Sequence, residues 1–119
     1  MKFRLGQIQD MKESLGRLTN EPLPLKIAFK LNKLVRNMDV NLTVIEEERV
    51  KLVKKLGVEN KETNAVEIPK DKIPQFQEEF VELMNEEVEI DFEPFKIDDF
   101  ANAKVTTQDM LKMSMLFED

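Results

Sequence analysis

The 119-residue chain contains no Cys, no His, no Tyr and no Trp, and only three glycines. Each absence removes a class of chemistry. Without Cys there is no disulfide and no thiolate nucleophile or metal ligand. Without His the usual general base near neutral pH is missing. Ser–His and Cys–His nucleophilic pairs are excluded, as are zinc sites built on His or Cys. The glycines stand alone at Gly6, Gly16 and Gly57, so no loop has the spacing that cradles phosphate. No apolar run approaches the roughly 20 residues of a membrane span. The start, Met1-Lys2-Phe3-Arg4-Leu5, lacks the apolar region of a signal peptide. A net charge of −6 disfavours non-specific contact with nucleic acid, which needs clustered cations. What remains is carboxylates, Lys, Arg, Ser and Thr. That set points to binding rather than catalysis, and neither an enzyme activity nor a cofactor or metal is expected.

What the chain does have is charge sorted by half. Residues 1–57 carry 12 Lys/Arg against 7 Asp/Glu, and residues 58–119 carry 6 against 17. From Glu78 to Asp99 there are ten acids and one base, Lys96. Such a split closes a fold on itself, joins copies head to tail, or offers an acidic surface to a basic partner. The length suits one domain with one core, made of a basic helical half and an acidic α+β half. An apolar content of 41% fits a globular protein, and 35% charged residues imply long exposed helical faces.

The apolar spacing predicts an α+β, mostly helical fold. Lys2–Leu5 alternates as a short edge strand. Ile8, Met11, Leu15 and Leu18 recur at helical spacing, giving a helix over 7–19. Pro22 and Pro24 mark a loop, with Pro24 suited to a first helical position. From there to Leu56 the positions Ala28, Leu31, Val35, Met38, Leu42, Ile45, Arg49, Leu52 and Leu56 alternate by three and four. This is a heptad seam, closed by Gly57 as a C-cap. One helix of this length spans roughly 48 Å. It is expected either to bury part of the seam against another molecule or to break near Asn37–Asn41, the weakest helix-forming stretch. Arg49 either lays its stem along the seam or meets an acid of a partner helix.

In the acidic half Val66–Ile68 reads as a short strand, and Val88–Phe92 alternates without exception, with Val88, Ile90 and Phe92 inward. These two strands are expected to pair as a small two- or three-stranded sheet covered by a helix between them. That helix is expected to carry Ile73, Phe76, Phe80, Leu83 and Met84 on its apolar stripe, with Asp71 as cap and Pro74 in its first turn. Asp98-Asp99-Phe100 reads as a short turn. Thr106 or Thr107 caps a last helix rich in Met110, Met113 and Met115.

Glu89 and Asp91 share one strand face, a pairing that holds Mg²⁺ or Ca²⁺ in other settings. No Gly-bearing calcium loop accompanies them, so they read as the wet face of the strand. The residues expected to meet a partner are of three kinds. Leu42, Ile45, Arg49 and Leu52 lie on the seam; Glu82, Glu86 and Glu89 lie on the acidic surface. Phe95, Phe100, Met113 and Phe117 are large side chains outside the clearest core segments.

The stretch Leu23-Pro24-Leu25-Lys26-Ile27-Ala28-Phe29-Lys30-Leu31-Asn32-Lys33-Leu34, the acidic strand Glu87-Val88-Glu89-Ile90-Asp91, and Val105-Thr106-Thr107-Gln108-Asp109-Met110-Leu111 carry a further signal. Together they resemble a family of small phage- and prophage-encoded proteins of Gram-positive bacteria, over most of the chain. None of these motifs is catalytic. The resemblance implies a viral gene product acting in the bacterial host cytoplasm or in the virion. The expectation is therefore a non-enzymatic protein-binding protein, such as an inhibitor of a host defence factor. The alternative is a structural or assembly component working as a homo-oligomer. A protein partner, host or viral, and self-association are expected; a membrane and nucleic acid are not.

Overall fold

The computed structural model describes residues 1–118. β1 (Lys2–Arg4) leads directly into α1 (Leu5–Leu18), and α2 (Leu25–Leu56) follows. A hairpin of β2 (Val58–Glu59) and β3 (Val66–Glu67) leads to a 3₁₀ turn at Lys70–Lys72 and α3 (Ile73–Met84). Then come β4 (Glu87–Glu89), a 3₁₀ turn at Ile97–Phe100, α4 (Thr107–Met113) and a last 3₁₀ turn at Ser114–Leu116. The fold is α+β and mostly helical, as the apolar spacing predicts.

Ile8, Met11, Leu15 and Leu18 of α1 are all buried, which is the face their spacing selects. They join Leu31, Leu34, Met38 and Ile45 of α2 in one cluster. Phe3, Ile90, Phe95, Phe100, Met113 and Leu116 complete it, so both halves of the chain share one core.

α2 is continuous, because Asn37–Asn41 is carried by packing on either side rather than by propensity. Its seam is covered by the chain itself: Leu31, Met38, Ile45 and Leu56 are buried, and Val35, Leu42, Arg49 and Leu52 half-buried. The helix does not break, and much of the seam is covered within the chain. The molecule is itself elongated, 53 × 28 × 24 Å, so α1, α3 and β3 reach along the helix. Pro24 stands one position outside the helix, as its N-cap. Gly57 ends α2 in an extended conformation (φ −85°), so it is not needed for a left-handed turn. It is needed for space: a Cβ would lie 2.4 Å from both the Val53 carbonyl oxygen and Val66 Cγ1.

The strand pairing differs from expectation. β4 pairs antiparallel with β1, in the register Lys2↔Glu89, Phe3↔Val88, Arg4↔Glu87. β3 pairs with β2 across a short loop in which Asn64 takes a positive φ of 58°. Two reasons favour this arrangement. Val58–Glu59 lies close in sequence to Val66–Glu67, so closing that loop costs little entropy. On the outer face of β1–β4, each cation stands opposite an acid. Val88, Ile90 and Phe92 do face inward, with Glu87, Glu89 and Asp91 exposed. Asp71 does not cap α3: it lies within the preceding 3₁₀ turn, and the N-cap position falls to Lys72, which makes no side-chain cap bond. Pro74 does sit in the first turn. Thr106 caps α4, its hydroxyl oxygen accepting from the Asp109 amide at 3.1 Å.

Among the described residues four ion pairs join the halves, each with its cation in the first half and its acid in the second. They are the Met1 amine with Glu89 (2.5 Å), Arg17 with Asp109, Lys30 with Glu93 (3.9 Å) and Lys55 with Glu79 (3.0 Å). The charge split therefore serves in part to close the fold.

Candidate functional site

α2 carries apolar side chains on two opposite faces. At 100° per residue Leu25, Phe29 and Val40 fall on the side of the helix opposite the buried row (Leu31, Leu34, Met38, Ile45), with Val44 at the flank of that outer face. The outer row is uncovered: Leu25 is 86% exposed, Phe29 70% and Val40 67%. With Val50, these are the large apolar groups that the fold leaves uncovered on its longest element. Single exposed apolar residues need no explanation, but a row of them along one face does.

At the start of α2 this face borders a groove of about 1170 Å³. Leu25, Phe29 and Lys33 form the helical wall, and Phe92, Pro94 and Lys96 line the opposite one. Lys30 ties the two walls together. Its ammonium donates to the Pro94 carbonyl oxygen at 2.7 Å, lies 4.8 Å from the centre of the Phe95 ring, and is 3.9 Å from Glu93. The groove is thus apolar inside and carries both signs of charge at its rim, with Asp91 and Asp99 beside the lysines. A pocket of this make-up holds apolar side chains and orients them through the rim.

One carboxyl outside the groove is strongly perturbed. Asp109 is 2% exposed and joins α4 to α1. Its Oδ1 accepts from the Ser14 hydroxyl at 2.7 Å and from the Arg17 guanidinium, and its Oδ2 accepts from the Thr106 amide at 3.0 Å. The Ser14 and Thr106 hydrogen bonds, with Arg17 beside them, hold the Asp109 carboxyl down at about 2. Both carboxylate oxygens are engaged, from α1 and from the start of α4, so its role is to lock two helices.

The residues singled out from the sequence are scattered. Ile45, Phe95, Phe100 and Met113 lie in the core and are corrected as interface candidates. Phe95 stacks obliquely on Phe100 (5.2 Å between ring centres) and bridges to the Phe117 backbone; the last segment folds back over the core instead of presenting these rings. Phe117 is half-buried against Phe100 at 5.8 Å. Leu42 and Leu52 are half-buried under the chain's own elements. Arg49 bonds Glu46 on its own helix at 2.6 and 3.0 Å. Glu82, Glu86 and Glu89 are exposed, and Glu89 is engaged by the Met1 amine. Asp91 is exposed beside it, and among the described residues no three or more metal-ligating side chains gather. Missed by the sequence reading were Leu25, Phe29, Val40 and Val44. Their shared helical face is a signal in the sequence, but Lys33 and Arg36 interrupt it while the seam runs unbroken except at Arg49.

The chain matches no family model, no curated protein and no solved structure.

Proposed function

We propose that this chain is a non-enzymatic protein-binding protein, and that the groove at the start of α2 receives apolar side chains of its partner. The supporting observation is the pair Leu25 and Phe29, at 86% and 70% exposure, standing over a groove whose opposite wall is Phe92 and Pro94. Large apolar anchors flanked by charge are the composition of binding hot spots. The chemistry of the chain supports the same reading. It has neither His nor Cys, and its most perturbed carboxyl, Asp109, is buried with both oxygens hydrogen-bonded. Among the described residues no helix is long and apolar enough to cross a membrane. The phage-family resemblance makes a host factor the first partner to seek, in the bacterial cytoplasm, with a role in the virion as the second.

The test is capture from bacterial lysate by immobilised wild-type chain, Leu25→Glu, Phe29→Glu and, as a surface control, Leu111→Glu on α4, where Leu111 is 72% exposed. A partner retained by wild type and control but lost by both groove variants supports the proposal. A partner lost instead on reversing Glu82 and Glu86 to Lys moves binding to the acidic face and refutes the groove.

A further inference from the structure

The middle of the outer face of α2 has a pattern that the groove shares only at Lys33. Val40 lies at its centre and is 67% exposed, with Val44 one turn on and also exposed. Seven residues before Val40 is Lys33, and seven after it is Glu47, each about 10 Å away along the axis. Arg36 lies on the same face between Val40 and Lys33. Among the described residues Lys33, Arg36 and Glu47 make no ion pair within the chain, although four other cations of the basic half do so with acids of the other half. About Val40 the pair Lys33 and Glu47 is thus symmetric in position and opposite in sign, with Arg36 mirrored by the apolar Val44, and with Lys51 farther along the same face.

We propose that a second copy of this chain docks on this stripe, with the two α2 helices antiparallel about a two-fold axis at Val40. An isologous interface demands that if residue i meets residue j, then j meets i. Antiparallel pairing about Val40 satisfies that demand with the charges as they stand. Lys33 comes level with Glu47 of the partner copy and Glu47 level with its Lys33. Val40 meets its own counterpart, and Arg36 lies beside Val44, one turn from Glu47. Parallel pairing would stack Lys33, Arg36 and Glu47 each on its own like charge, which is destabilising. A heterologous protein would need no such symmetry in the stripe. The contact is confined to the central turns. Packed helices cross at an angle, so they diverge toward the ends, where Lys26 and Lys54 would otherwise approach. Leu25 and Phe29 lie toward the diverging ends of the pair, so of the groove's helical wall only Lys33 belongs to this contact.

The absence of Cys makes the test clean, because a single introduced thiol reports only on its own position. Light scattering from micromolar to millimolar concentration should show wild-type mass rising from 13.9 kDa toward twice that value. Val40→Cys should oxidise to a linked dimer far faster than Leu111→Cys. Lys33→Cys alone should stay unlinked, since two such residues lie roughly 20 Å apart along antiparallel helices. Lys33→Glu should weaken the dimer at least tenfold, and Lys33→Glu with Glu47→Lys should restore it. All these positions are exposed, and circular dichroism checks that each variant folds. A strictly monomeric wild type overturns the proposal, and so do Val40→Cys and Leu111→Cys linking at equal rates. Rapid linking of Lys33→Cys, or a double charge swap that fails to rescue, overturns it equally. None of these outcomes depends on whether the groove captures a partner.

Discussion

Replacing Asp109 with Asn should lower stability by about 2–3 kcal/mol at neutral pH. The carboxyl titrates at about 2 in the folded chain against an ordinary value of 3.8. At about 1.4 kcal/mol for each tenfold change in proton affinity, the charged form contributes about 2 kcal/mol to folding. Arg17 is half exposed, so water screens its share, and the Ser14 and Thr106 hydrogen bonds carry most of the effect. Asn keeps the shape but turns one acceptor into a donor, so one hydrogen bond is lost, adding about 1 kcal/mol at most. The sign with pH follows from the depressed titration. Asp109 gives its full contribution above about pH 4 and loses it as pH falls to about 2, while Asn at this position has no such dependence. With no Trp or Tyr, far-UV circular dichroism in urea is the suitable assay. The wild-type midpoint should exceed that of Asp109→Asn at neutral pH, and the gap should narrow through that acid window. Equal midpoints at neutral pH, or a gap that stays constant into acid, would refute the role given to this carboxylate.

Phe95→Ala, at a ring with no exposure, should cost about 3–5 kcal/mol and broaden or abolish the thermal transition, since it removes a core ring and its contacts with Phe100 and Lys30. Gly57→Ala should destabilise by about 1–3 kcal/mol, because its Cβ meets backbone at Val53 as well as Val66; a melting temperature equal to wild type would show that the α2–hairpin junction gives way easily. Thr106→Ala should cost about 1 kcal/mol by removing the α4 cap, as measured by urea denaturation, and Thr106→Ser should recover most of it.

Much of this architecture is legible in the residues. The 3–4 spacing of Ile8, Met11, Leu15 and Leu18 and the seam of α2 select the faces that are buried. The alternation from Val88 to Phe92 orients its side chains correctly, and Thr106 announces α4. The partner of a strand is another matter. Alternation says which face is inward but not what lies alongside, and two-residue strands such as Val58–Glu59 carry almost no periodic signal. Phe95, Phe100 and Met113 show the same limit. An aromatic or Met in an irregular segment is apolar either way, and only the return of Ser114–Leu116 over Phe95 makes it core. The Asp109 lock joins residues far apart in the chain, so nothing local to either announces it. The outer row of α2 was legible through helical projection, yet it is interrupted by Lys33 and Arg36, so a search for one apolar stripe passes over it.

The pairing of β1 with β4 sets an order of events on the ribosome. Lys2–Arg4 emerges long before Glu87–Glu89, its partner, and both helices α1 and α2 are made between them. α1 and α2 can form and pack in the meantime, because their contacts are local. The strand edge beside them stays open for all of that time, with Phe3 uncovered. A nascent chain stalled before Glu87 would therefore present an unpaired, cationic edge joined to a half-covered helical pair, the kind of surface that chaperones hold. Completion of a short acidic strand is the step that closes it.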